Sequence, residues 1–146
     1  MHKLSKAVLL TIALVIGLNA APRYTVLYNE WFTITAGNYL FKIIKLDRPV
    51  DATSNSFYLV GEAHAKMYDF NAYLLDADNF EVLTSGDNPQ QAYMWLTKVG
   101  YARLIVGTET EFAPLEFGKK YYLVIDNRYS ALTDKEVRCF LLAFWE

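Results

Sequence analysis

Carboxylates stand at close spacing in the stretch Asp76-Ala77-Asp78-Asn79-Phe80-Glu81. Oxygen ligands at alternate positions suit a hard cation such as calcium. The stretch lacks the glycine and the distant glutamate of a full calcium-binding loop. Aspartate and asparagine are also ordinary turn residues. We therefore expect a turn between two strands, with calcium binding by Asp76, Asp78 and Glu81 as the alternative.

A second polar cluster lies between two apolar runs in YYLVIDNRYSALTDKEVRCFLLAF, residues 121–144. It contains Asp126, Asn127, Tyr129, Ser130 and Lys135. Aspartate and asparagine side chains bond nearby backbone amides, and a tyrosine can bury its ring while its hydroxyl reaches a backbone acceptor. No histidine is near in sequence, and no nucleophile–base pair is evident. We therefore predict a structural corner between two strands rather than a catalytic site.

Catalytic and metal-binding motifs are scarce in the rest of the chain. His64 has no companions at the spacing of metal ligands, and no motif such as G-x-S-x-G indicates a hydrolase. We predict a protein that is not an enzyme and uses no metal and no cofactor. If it were a small secreted hydrolase, Asp126, His64 and Ser130 would be the first residues to replace.

Aromatic residues are abundant, with 11 Tyr, 9 Phe and 3 Trp. Flat rings on an exposed strand can stack on a sugar or against a protein partner. Both faces of the segment that contains Tyr93 and Trp95 are apolar, so alternation does not show which face is exposed. Packing inside the fold is the alternative for these rings. The binding candidates are Tyr93, Trp95 and Trp31, with Tyr28 and Tyr39 as further ones.

The N-terminal residues have the pattern of an export signal. Lys3 and Lys6 precede an uncharged apolar run, Ala7 to Leu18, which small residues follow. A run of 12 residues is short for a membrane span. We expect residues 1–20 to be a signal peptide cleaved after Ala20, with an uncleaved anchor as the alternative. The predicted location is outside the cytoplasm, secreted or at the cell envelope, with no membrane span in the mature chain.

The charge and the cysteine content argue against a nucleic-acid partner and against an internal disulfide. Without Lys3 and Lys6, 12 basic and 16 acidic residues remain, a net charge of −4. Since nucleic-acid binding needs clustered positive charge, we expect no nucleic-acid partner. Cys139 is the only cysteine, so it cannot form an internal disulfide, and its apolar surroundings in sequence predict a buried thiol.

Short runs rich in Val, Ile, Tyr and Phe recur between turn residues across the mature chain. This pattern predicts an all-β protein, a sandwich or a barrel. We expect residues 21–146 to form a single domain of eight or nine strands. The predicted strands are Tyr24–Thr35, Tyr39–Asp47, Phe57–Met67, Phe70–Leu75, Phe80–Thr84, Tyr93–Val99, Tyr101–Gly107, Lys120–Asp126 and Glu136–Trp145.

The C-terminal stretch resembles a known family. Gly118, the strand YYLVIDN, Tyr129-Ser130, Lys135 and Val137 follow one another as in the C-terminal half of GOLD domains. The resemblance covers residues 117–144. It implies an antiparallel jelly-roll-like β-sandwich and a role in protein–protein contacts. The strand G-x-Y-Y-L-V is also similar to the pre-peptidase C-terminal domain of exported enzymes, which is a sandwich as well.

The expected function is that of an exported, non-catalytic binding module. Its contacts with a protein partner are expected on loops at one end of the sandwich or on an exposed sheet face. Carbohydrate binding through Tyr93 and Trp95 is one alternative. A structural subunit that assembles through open sheet edges is another, and a small secreted hydrolase is the third.

Overall fold

The computed structural model describes residues 23–107 and 114–146, and the predicted signal peptide lies outside them. Nine strands and one short helix form in this part of the chain. No helix within it is long and apolar enough to cross a membrane. The elements are β1 (Arg23–Ile34), β2 (Tyr39–Ile44), β3 (Ser56–Ala65), β4 (Phe70–Asp76), α1 (Ala77–Thr84), β5 (Met94–Val99), β6 (Tyr101–Val106), β7 (Leu115–Glu116), β8 (Tyr121–Asp126) and β9 (Lys135–Trp145).

The strands form two antiparallel sheets. The first sheet has the order β1-β9-β3-β6, with β7 beside β3, and the second has the order β2-β8-β4-β5. The first strand, β1, pairs with the last, β9, and the second strand, β2, pairs with the last but one, β8. This nested pairing is the strand order of a jelly roll. The predicted all-β sandwich is confirmed.

Side chains from the inner faces of both sheets fill one apolar core. Strand alternation places Phe57 and Leu59 of β3 on the inner face, where they share the core with Leu74 of β4 and Leu123 of β8. Cys139 is fully buried in the same core. The prediction of a buried thiol is confirmed, and a reactive role for Cys139 has no support in its surroundings.

The predicted strand over residues 80–84 is wrong, because residues 77–84 form the helix α1. The side chain of Asp76 accepts a hydrogen bond of 2.9 Å from the backbone N–H of Asn79 and so caps the helix. Phe80 and Leu83, three residues apart, lie on one face of the helix. Phe80 stacks on Tyr122 of the second sheet with ring centroids 4.1 Å apart, and Leu83 is buried. Helical spacing lets both residues cover the outer face of the sheet, which a hairpin strand could not do.

The structure has one further strand, between the predicted strands Tyr101–Gly107 and Lys120–Asp126. Leu115 and Glu116 form the short strand β7, which pairs with Phe57 and Ser56 at the start of β3. Leu115 is fully buried in the core. The count of nine strands therefore agrees with the prediction, although one predicted strand is a helix and β7 was missed.

Candidate functional site

Asn127 joins three segments of the chain at one end of the sandwich. It is fully buried at the end of β8. Its side-chain N–H groups donate to the carbonyls of Ile34, Thr35 and Thr133 at 3.3, 3.3 and 2.8 Å. Its backbone N–H donates to Asn38. One side chain therefore fixes the loop between β8 and β9 against the turn that follows β1.

Asp126 and Arg128 form a second connection at this end. The carboxylate of Asp126 is almost buried and accepts two bonds of 3.0 Å from the Arg128 guanidinium. These bonds raise the pKa of Arg128. Arg128 also donates to the carbonyl of Leu83 in α1, at 3.2 Å, and lies over the ring of Tyr39. Arg128 thus couples the corner to the helix on the second sheet.

Lys135 and Asp69 make the third connection. The residue Lys135 is buried, and its Nζ lies 3.8 Å from the Asp69 carboxylate. The same Nζ lies 4.8 Å from the ring centre of Tyr68 and 5.7 Å from that of Tyr129, within the range of cation–π attraction. The Tyr129 hydroxyl donates to the backbone carbonyl of Asp69 at 2.7 Å. Burial, and after it the charge of Asp69, raises the pKa of Tyr129 to about 12. The loop after β3 is therefore held to the loop after β8.

Four large side chains on these two loops remain exposed. Met67, Tyr68, Tyr129 and Leu132 have exposed fractions of 63%, 61%, 42% and 95%. We call this set the corner surface. Exposed apolar residues on firmly held loops are more typical of binding than of packing.

Tyr68 has a backbone conformation that supports this interpretation. Its φ is 69°, in the left-handed region that side chains other than glycine seldom adopt. Such a conformation costs on the order of 1 to 3 kcal/mol and persists only where the surroundings impose it. The Tyr68 ring lies beside Lys135 and is more than half exposed.

The three residues considered for a hydrolase do not come together. Asp126 is paired with Arg128, and Ser130 Oγ exchanges hydrogen bonds with the backbone of Thr133. His64 lies on the outer face of β3 with its ring 5.2 Å from that of Trp31. No hydrogen bond among the described residues joins any two of the three.

The acidic stretch also has a structural role. Asp76 caps α1, while Asp78 and Glu81 are exposed on that helix. In residues 23–107 and 114–146 no three metal-ligating side chains converge on a common point. The turn expected here is replaced by the first turn of α1, and the calcium alternative gains no ligand set from the described residues.

The aromatic candidates are separated by the fold. Tyr93 packs against Tyr121 of the core, with ring centres 5.2 Å apart. Trp95 lies on the outer face of the second sheet, 4.5 Å from the ring of Tyr73, and is exposed. Trp31 is exposed on the outer face of the first sheet. Tyr93 and Trp95 thus do not form one stacking platform, because Tyr93 precedes β5 and turns towards the core.

The two further aromatic candidates contact neighbouring strands. The Tyr28 hydroxyl donates to the carbonyl of Ile43 in β2 at 3.0 Å. Tyr39 lies beneath the Arg128 guanidinium. Both side chains are partly buried, and their contacts explain their presence structurally.

Sequence reasoning missed Met67, Tyr68 and Leu132. Met67 ends a predicted strand and Tyr68 follows it, while Leu132 is an isolated apolar residue in a polar loop, so no periodic pattern marks them. The lysine that meets Tyr68 is 67 positions further along the chain. Two signals could have indicated these residues. An apolar residue in a polar loop can be seen in the sequence, whereas a positive φ is visible only once the fold is known.

The burial of Cys139 makes a testable prediction. Burial, and after it the charge of Glu30, raises the pKa of the Cys139 thiol to about 12. Because the thiolate is the reactive form, a thiol reagent at pH 8 should label the folded protein only as fast as the protein unfolds. Labelling in urea should be rapid. Rapid labelling of the folded protein, with circular dichroism unchanged, would contradict the buried position.

A scan against protein-family models finds no match to this chain, and no curated protein matches it either. The resemblance of residues 117–144 to GOLD domains and to pre-peptidase C-terminal domains therefore stays a prediction.

Proposed function

We propose that this protein is an exported, non-catalytic module that binds another protein through the corner surface. The observation that carries the proposal is the combination of firm anchoring and exposure at one end of the sandwich. Asn127, Asp126 and Lys135 hold the loops from within, while the apolar side chains of the corner surface point to solvent. The N-terminal signal pattern supports export.

The anchoring of these loops favours binding, because a partner that docks on a mobile loop must first order it. A loop that is already fixed loses little conformational entropy when a partner docks, so more of the contact energy appears as affinity. Tyrosine and methionine are well suited to such a surface, since they offer large contact areas with few polar atoms to desolvate. A protein partner that presents apolar or aromatic side chains matches this chemistry.

The mixed charge around the corner surface fits a protein better than a polyanion. Lys66 pairs with Glu136 at 2.8 Å, and the charge of Lys135 is directed to Asp69. The basic groups closest to the surface are thus already paired. A polyanionic ligand would meet little unpaired positive charge here.

The proposal is tested with Tyr68→Gly and Leu132→Ser. Glycine accepts the positive φ of position 68 without strain, so the free energy of unfolding should stay within about 1 kcal/mol of wild type. Leu132 is almost fully exposed, and its replacement should leave stability unchanged. Affinity for the partner should fall about tenfold or more for Tyr68→Gly, as for an aromatic residue at the centre of an interface.

The assay is capture from envelope extract and culture supernatant, followed by a titration with the purified partner. Trp95→Ser is the matched control, because Trp95 is another exposed aromatic residue and lies on the outer face of the second sheet, outside the corner surface. Loss of binding with the corner variants but not with Trp95→Ser supports the proposal. Binding that survives in both corner variants contradicts it, and so does binding of a glycan that Trp95→Ser abolishes. The second result would favour the carbohydrate alternative.

A further inference from the structure

The strand β1 forms an open edge of the first sheet. It has 12 residues, about twice the length of a typical strand. One side pairs with β9 from Arg23 to Ile34. Within residues 23–107 and 114–146 no strand pairs with its other side. A long row of backbone donors and acceptors is therefore free to pair with another strand.

The other three edges have features that discourage such pairing. β2, β5 and β6 have six residues each. In β2 the carbonyl of Ile43 is occupied by the Tyr28 hydroxyl. In β5 the backbone turns to a φ of 52° at Lys98, whose N–H is bound by the side chain of Asn71. The strand β1 contains no proline, and Arg23 and Glu30 are its only charged residues.

An irregularity in β1 gives its exposed aromatic residues a particular arrangement. Residues seven apart in a regular strand face opposite sides of a sheet. The register against β9 shifts by one residue between Val26 and Tyr28. As a result Tyr24 and Trp31 stand opposite Phe144 and Arg138, which are six residues apart and share a face. Both aromatic side chains are about half exposed, at 48% and 49%.

We propose that β1 pairs with β1 of a second copy of this chain, antiparallel and about a two-fold axis between Leu27 and Tyr28. In this register Tyr24 of each copy lies opposite Trp31 of the other, on the outer face of one continuous sheet formed by both copies. The two aromatic pairs are equivalent by symmetry, as an isologous interface requires. Cross-strand aromatic pairs stabilise antiparallel pairing. The shift at Leu27 is what makes the strand complementary to itself in this register.

The test compares two double variants by sedimentation velocity over a wide range of protein concentration. Tyr24→Lys with Trp31→Lys places like charges opposite each other across the axis and should weaken dimerisation about tenfold or more. Tyr24→Glu with Trp31→Lys places opposite charges there and should restore most of the wild-type affinity. Within one chain the two positions are seven residues apart, so they do not contact each other. Trp95→Lys is the control for an added surface charge.

Each outcome decides the proposal. A concentration-dependent dimer that the lysine pair weakens and the glutamate–lysine pair restores supports it. A wild-type protein that stays monomeric, or a dimer that both pairs leave intact, overturns it. If both double variants weaken dimerisation equally, the proposed register is wrong. Circular dichroism and thermal unfolding show that each variant is folded, and dimerisation is measured independently of any partner of the corner surface.

Discussion

Replacing Gly61 by alanine is expected to lower the free energy of unfolding by about 3 to 5 kcal/mol. A β-carbon at this position would overlap the carbonyl oxygen of Phe140 and would lie 2.9 Å from the α-carbon of Leu141. Both atoms belong to the backbone of β9, which is paired on both sides, with β1 and with β3. The strand cannot move aside without disturbing both pairings. Urea unfolding followed by circular dichroism measures the effect.

Gly100→Ala is the matched control for that experiment. Gly100 lies between β5 and β6, and an added β-carbon would meet its nearest atom at an ordinary distance of 3.8 Å. The free energy of unfolding should change by about 0.5 kcal/mol or less. Similar effects of the two substitutions would show that close approach of β3 and β9 at Gly61 is not the cause.

Replacing Asn127 by alanine should destabilise the protein by about 2 to 4 kcal/mol. The substitution removes the donors that satisfy three carbonyls, those of Ile34, Thr35 and Thr133. Asn127 is fully buried, so water replaces these bonds poorly. The loops of the corner surface should loosen as well, and amide hydrogen exchange at Thr35 and Thr133 should accelerate more than exchange in the core strands.

The substitution Asn127→Asp tests the same hydrogen bonds, because it replaces the amide donor by a carboxyl group that can ionise. A carboxylate would face three carbonyl oxygens, and burial would disfavour its ionised form, so its pKa in the folded state would be raised above the unfolded value. The group then contributes most stability below about pH 4 and loses it as the pH rises towards 7. The wild type has no such group at this position. Asn55→Ala, at an exposed loop position, is the control and should change the free energy of unfolding by about 0.5 kcal/mol or less. A variant Asn127→Ala as stable as this control would contradict the role of Asn127.

The corner shows how far local sequence reasoning extends. Asp126 and Asn127 were predicted to end a strand and to bond nearby backbone amides. Asp126 accepts a hydrogen bond from the backbone N–H of Arg128, whereas the side chain of Asn127 donates to backbone carbonyls. The prediction did not include the partners, because Ile34 and Asp69 are distant in sequence. Tyr129 was expected to bury its ring and to find a backbone acceptor. Its hydroxyl donates to the carbonyl of Asp69, but its side chain stays exposed. A side chain's need for a partner can be predicted from its type, whereas the identity of that partner depends on which loops meet.

At the helix α1 the local sequence is compatible with two different structures. The residues 76–81 contain a capping aspartate and turn residues, which are compatible both with a hairpin and with a helix start. The eight residues of α1 are too few for a clear helical period, and an isolated helix of this length is unstable in water. The apolar outer face of the second sheet decides between the two, because it buries Phe80 and Leu83 only when they share a helix face.

The sequence alone determined that this protein is built of strands, because runs of β-branched and aromatic residues between turn signals suit a pleated sheet with buried faces. It also determined most strand boundaries to within about one residue. The tertiary structure decided which strands pair, that Tyr93 and Trp95 separate, and that Lys135 meets Tyr68 beneath an exposed surface. These outcomes depend on contacts between residues far apart in the chain, and hydrophobic periodicity contains no record of such contacts.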